Sequence, residues 1–268
     1  MSLSILYDSR LLVFRVPYVS WLSCLTYSAV RRAKGRTPRL SDDSTYLVDN
    51  PLDGSLVTAP RSHESAKASA LKRDGFRCMV TGIPDPKARQ FPNLSQISER
   101  EATCQTEFSH IFPDKAVGQP ELVWKYIKQF GGFNALQELG GRQIHRLSNG
   151  LTLALSVHAE FGDLNLWFEK AQEGHPENTY FIKSHGLHHD VPSSTTPVTF
   201  TSHDSTLELP DPRYLQLHAA ICRVAHLSGA AEYIDQHDRD IEDLLVLAPD
   251  GSSADLFAAH LGRTVVVY

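Results

Sequence analysis

Between Phe108 and Phe168 the chain sets a His, an Asn and a second His in order, each framed by apolar neighbours. The stretch opens with Phe108-Ser109-His110-Ile111-Phe112-Pro113 and continues through Asn149-Gly150-Leu151-Thr152-Leu153 to His158. Polar side chains buried in apolar surroundings need hydrogen-bond partners. Packing alone is a poor reason for three of them in one stretch. The rest of the chain must therefore supply a scaffold that holds them together.

Local patterns outline that scaffold. A helix is expected to start at 62–64, run through alanine-rich 65–71 and stop at Gly75. Residues 76–82 alternate like a strand ending at Gly82, 84–100 have loop composition, and 104–113 read as a second strand. Val123, Trp124, Ile127 and Phe130 carry a helical pattern that Gly131-Gly132 ends, and 134–139 adds a short turn. Then 147–153 read as a strand with a turn or bulge at Asn149-Gly150, 156–161 as a short helix and 164–168 as a strand.

Residues 174–197 look like a loop containing His185, His188 and His189. His188-His189-Asp190 offers metal ligands there, although a solvated loop is the plainer reading. Tyr214, Leu217, Ala220, Ile221, Val224 and Leu227 mark an amphipathic helix over 211–234, with Gly229 a point of close packing or a break. Residues 235–260 are acidic and mixed, and 264–268 read as a terminal strand or a loose tail.

Charge and cysteine usage narrow the function classes. Lys and Arg number 26 against 31 Asp and Glu, a formal net charge of -5. That argues against the broad basic footprint of a protein that neutralises many phosphates. Arg31, Arg32, Lys34, Arg36 and Arg39 form the one basic cluster, read as a solvated linker rather than a phosphate-contacting arm. Cys24, Cys78, Cys104 and Cys222 make no Cys-x-x-Cys pair, so a zinc ribbon is not expected and reduced thiols are. Arg15 and Pro17 interrupt the apolar run 11–30, which suits neither a membrane span nor a signal peptide. An intracellular protein of cytoplasm or nucleus is the expectation.

Arg73-Asp74-Gly75-Phe76-Arg77-Cys78-Met79-Val80-Thr81-Gly82, then Ser109-His110-Ile111-Phe112-Pro113, then Asn149-Gly150-Leu151-Thr152-Leu153 with His158, together resemble the HNH nuclease domain. The likeness is greatest to the branch found in fungal proteins. Leu166-Trp167-Phe168-Glu169 and the stretch from His226 to Ile234 extend it. The resemblance implies an α+β fold: an HNH-type ββα-metal core with an inserted helical segment, an N-terminal extension and C-terminal helices. The corresponding divisions are an extension at 1–61, an HNH-like domain at 62–172, and a loop plus helical region at 173–268.

It also implies roles. His110 matches the general base, Asn149 the residue that orients the loop and meets the metal or the base, and His158 the ligand that closes the site. Ser109 stands where an Asp or His often precedes the base, and Gly162 displaces the expected carboxylate by one position to Asp163. Glu107 and Asp163 are the nearest carboxylates in sequence that would join His158 and Asn149 around a divalent ion.

Three functions follow from this. One is metal-dependent cleavage of DNA phosphodiester bonds, using one divalent ion. Another is acid/base chemistry on a small organic molecule, without a cofactor: ring closure or isomerisation in fungal-type secondary metabolite biosynthesis. The last is a non-catalytic binding domain. The acidic balance, Ser109 and Gly162 favour the second, so a small-molecule substrate is the expected partner and DNA the alternative. No membrane partner is expected, and the oligomeric state is open.

Overall fold

Ser62 starts the first helix by a reciprocal cap: its side chain accepts from the Ser65 N–H, and the Ser65 side chain accepts from the Ser62 N–H. Two otherwise orphaned donors are satisfied together. The computed structural model describes residues 60–112, 128–129, 131–186, 195–229, 231–232 and 236. In it α1 spans His63–Arg73, where the sequence pattern expects a helix. Gly75 follows in the left-handed region at φ +60, and a Cβ there would lie 2.6 Å from the His203 ring. Both the turn and the close approach call for glycine.

Residues 76–82 are not a strand. Cys78 Sγ accepts N–H bonds from Thr81 (3.4 Å) and Ala154 (3.2 Å), and the Gly82 N–H donates to Cys78 O (2.9 Å). The sulfur folds the segment into a tight turn, leaving one isolated bridge between Arg77 and Pro84. A 3-10 turn, Pro86–Gln90, and the single helical turn α2, Pro92–Ser95, occupy the expected loop.

β1, Thr106–His110, pairs antiparallel with β2, Gly150–Ala154. His110 lies opposite Gly150 and Phe108 opposite Thr152, so these residues share one face. The 3-10 turn Leu147–Asn149 precedes β2, which therefore begins at Gly150 rather than at residue 147. α3, Ala135–Leu139, is capped by Asn134, and α4, Leu155–Gly162, follows β2 directly.

A second antiparallel sheet has the order β3-β4-β5, with β3 Leu166–Lys170, β4 Thr179–Ser184 and β5 Val198–Thr199. β4 lies where loop composition predominates in the sequence. Its alternation is nevertheless real, with Tyr180 and Ile182 buried and Phe181 and Lys183 partly exposed, but the polar residues on both sides hide so short a run.

α5, Pro212–Leu227, begins at an Asp211 cap and stops before Gly229, whose φ of +69 makes it the break. Leu151, Leu153, Val157, Phe161, Phe168, Tyr180 and Tyr214 belong to one buried cluster joining β2, α4, the second sheet and α5. Glu138 ties α3 to α5 by accepting from Tyr214 Oη (2.8 Å) and Arg213 Nη2 (2.8 Å). Burial, reinforced by Glu138, holds the Tyr214 hydroxyl well above the usual phenol range.

The apolar run 11–30, the basic cluster 31–39, the helical pattern from 121 to 127 and the tail 237–268 lie outside the described residues. Among the described residues no helix is long and apolar enough to cross a membrane.

Candidate active site

The end of the β1–β2 pair is positioned by a buried arginine. Arg73, at the last residue of α1, is fully buried. Its Nε and Nη2 donate to the two carboxylate oxygens of Asp74 at 2.7 and 2.8 Å. Nη1 donates to Leu147 O (2.8 Å) and Glu208 O (3.1 Å), and Nη2 also reaches Gly150 O (3.1 Å). A guanidinium has five N–H donors, and each here meets an oxygen. Leu147 and Gly150 bracket Asn149, so the Arg-Asp pair grips the turn on either side of it. The Arg73-Asp74 dipeptide is thus a clamp behind the site.

Asn149 continues the chain of support. Its side chain is 0% exposed. Oδ1 accepts from the Phe112 N–H (2.9 Å), while Nδ2 donates to Phe112 O (3.0 Å) and Ile144 O (2.9 Å). Its own carbonyl accepts from the Ile111 N–H at 2.8 Å. Both amide protons are occupied, and the chain leaving His110 is stapled to the turn before β2. Asn149 thus ties the turn before β2 to the chain leaving His110.

His110, the last residue of β1, meets a second imidazole. Its Nε2 lies 3.1 Å from His145 Nδ1, at the end of the 3-10 turn Gly141–His145. His63, in the first turn of α1, holds a third ring 5.5 Å from that of His110 and is anchored by Nε2 to Phe108 O at 3.0 Å. All three histidines are half-buried. Phe108 sits edge-on to both His63 and His110. It fills the space where a Cβ on Gly150 would stand, so glycine opposite His110 lets this ring support it. Sequence spacing gave no sign of His63 or His145, because each comes from a different element far along the chain.

The other expected site residues are arranged differently. His158 stands half-buried on α4. Glu107, three residues before His110 on β1, pairs with Lys67 at 3.2 Å. Ser109 is 2% exposed and opposite Leu151 in the pair, on the face away from Phe108. Asp163 caps the exposed end of α4. A hard divalent ion wants several oxygen donors. Among the described residues the one trio of His, Cys, Asp or Glu side chains that converges closely enough for a metal includes none of His110, His158, Glu107 and Asp163. Asn149 holds backbone rather than facing a ligand. Among the described residues, His110, His158, Glu107 and Asp163 thus do not converge as a set of three or more ligating side chains. His188, His189 and Asp190 lie outside the described residues.

The chemistry the geometry offers is proton transfer. In a neutral imidazole pair joined by one N–H···N bond, the donor ring keeps a basic nitrogen and the acceptor ring keeps an N–H. If His110 Nε2 donates, its Nδ1 is the base and His145 Nε2–H the acid.

Comparison with known proteins bears on this site. The family model described as HNH endonuclease matches residues 78–169, a segment that contains β1, the 3-10 turn of His145, β2, α4 and almost all of β3. No curated protein and no solved structure matches the chain. His110, His145, Asn149 and His158 all fall inside the matched segment, whereas Arg73 and His63 precede it. That match makes residues 78–169 an HNH nuclease-like segment of the chain.

Proposed function

We propose that this protein is an HNH-type hydrolase of DNA phosphodiester bonds in which His110 is the general base. The observation that carries the reading is the His110–His145 contact of 3.1 Å at the open end of β1–β2. An antiparallel pair followed at once by a helix, inside the segment that matches the HNH endonuclease model, supports this reading, in which His110 serves as the base and His158 stands on the helix. An imidazole suits the task because its ordinary pKa lies near neutral. The three histidines are each partly exposed, with exposed Arg61 and Arg142 close in sequence to His63 and His145. An open site of this kind fits a polyanion better than an enclosed small molecule.

In this mechanism His110 takes a proton from water as it attacks phosphorus. His145 orients His110 and returns a proton to the departing oxygen. Arg73 and Asn149 hold the frame and do not touch substrate. Supercoiled plasmid incubated with the full chain and Mg²⁺, Mn²⁺ or Zn²⁺ should be nicked. His110→Ala should lower the rate by roughly 10²–10⁴-fold while the Tm stays within a few degrees. Intact plasmid under all three cations sinks the proposal.

One observation favours a second reading, acid/base catalysis of ring closure or isomerisation on a small organic molecule. Ser109, in place of a carboxylate or imidazole ligand, is buried on the core face, and Glu107 is drawn to Lys67. Proton transfer by His110 and His145 needs neither. That reading gains if plasmid stays intact while a small apolar ligand raises the Tm of the wild type.

A further inference from the structure

Away from His110, three side chains from different elements converge at the far end of α4 and α5. They are His185, just past β4, His226, in the last turn of α5, and Glu232, in the helical pair after Gly229. One ligand atom from each lies within 4.8 Å of the other two. His185 Nε2 is 3.4 Å from Glu232 Oε1, and His226 Nδ1 is 3.8 Å from the same oxygen. Ligands bound tetrahedrally to Zn²⁺ at about 2.0–2.1 Å stand about 3.4 Å apart.

His226 is the informative member. Its side chain is 8% exposed, and its Nε2 lies 3.1 Å from Leu164 O. A carbonyl accepts only, so Nε2 carries the proton and Nδ1 of the neutral ring carries a lone pair. That buried Nδ1 has no hydrogen-bond partner and faces a carboxylate oxygen. Two acceptors aimed at one another are reconciled by a cation on Nδ1, either a proton or a metal ion. An imidazole whose second nitrogen is fixed by a backbone carbonyl is how metal-bound histidines are oriented. Leu164 presents that carbonyl from a left-handed conformation, φ +62, which is uncommon for a bulky residue. The other ligands also have anchored backbones: the His185 N–H donates to Asn165 O at 2.8 Å, and Ala231, beside Glu232, is buried in the core.

We propose that His185, His226 and Glu232 form a binding site for a divalent transition ion of the Zn²⁺ class, separate from the His110 site. Two imidazoles and one carboxylate are a borderline donor set that suits such an ion better than Mg²⁺ or Ca²⁺. The His185 and His226 rings stack at 4.1 Å, 14° from parallel, and a metal lies in the plane of each ring that binds it. Loading therefore turns the exposed His185 ring while His226 stays fixed. The site would lock the end of α5 to the second sheet through β4.

The test is zinc titration of the chelator-stripped full chain by calorimetry, with thermal unfolding alongside. His185→Ala and Glu232→Gln change exposed side chains, so the apo Tm serves as a check that both variants fold. The wild type should bind Zn²⁺ and gain Tm. In each variant the number of tightly bound ions should fall by one, or the affinity by about tenfold or more. Absence of zinc binding by the wild type overturns the proposal. So do variants that bind as many ions, as tightly, as the wild type, because the ion then sits elsewhere. Neither outcome touches the His110 mechanism, which is read from DNA nicking.

Discussion

At the scale of single residues, the site depends on side chains that never meet a substrate. Asn149 is the clearest, since its amide satisfies a buried N–H and two buried carbonyls at once. Asn149→Ala should destabilise the protein by roughly 3 kcal/mol, at about 1–3 kcal/mol for each group left unpaired less some relaxation. Urea denaturation would measure this, and a loss below half a kcal/mol contradicts the stapling role. Asn149→Asp should be no milder, because one carboxylate oxygen then replaces the NH2 group and faces two carbonyl oxygens. The histidines were only partly legible in the sequence. His110, Asn149 and His158 stood out through their apolar frames and spacing, whereas His63 and His145 carry no such signal. They approach His110 only because α1 packs across the strands and a 3-10 turn comes back to the end of β1.

At the scale of elements, Gly150 and Phe108 show how one contact sets the strand pair. The aromatic ring occupies the space a Cβ would need, so Gly150→Ala must push the ring and with it the strand that ends at His110. A loss of about 1–3 kcal/mol is expected from overpacking, together with slower catalysis than the lost stability explains. Stability curves and initial rates at a temperature where the variant remains folded separate the two effects. α1 and α5 were readable from their ends, composition and apolar periodicity, because these signals are local, whereas α4 starts at Ala154 without a side-chain cap and was legible only as a short helix. The segment 76–82 was misleading because its alternation is that of a strand. Its actual course depends on Cys78 Sγ accepting an N–H from Ala154, a partner 76 positions away. β4 was missed for the opposite reason: a short buried run surrounded by His, Pro and Ser.

At the scale of the whole molecule, burial of weak acids makes the fold sensitive to alkali. Burial, with Cys78 and Asp85 adding to it, pushes the Cys104 thiol from its ordinary 9.0 to about 11. Burial likewise pushes the Tyr180 hydroxyl from 10.0 to about 12, with a smaller contribution from Asp211. Folding thus favours the protonated form of each, and the unfolded chain releases the proton first. The stability these two groups contribute is fully present below pH 9 and is lost as pH rises through the interval from about 9 to 12. Chemical denaturation at stepped pH should show that slope, and Cys104→Ala should flatten the part between 9 and 11. A stability that stays level to pH 12 contradicts the burial of these groups.

The Arg73 clamp has a further consequence for the order in which the chain assembles. The guanidinium lies at the end of an early helix, yet its oxygen partners come from residues 74, 147, 150 and 208. A charge that loses water before its partners arrive is costly, by several kcal/mol. During synthesis, α1 must therefore wait with Arg73 hydrated until the chain has emerged beyond Glu208. Only then do the helix, the turn that carries Asn149 and the segment leading into α5 close together. A chain stopped at residue 186 should keep a solvated arginine and be cut readily by trypsin after Arg73, a bond that the full-length protein should protect.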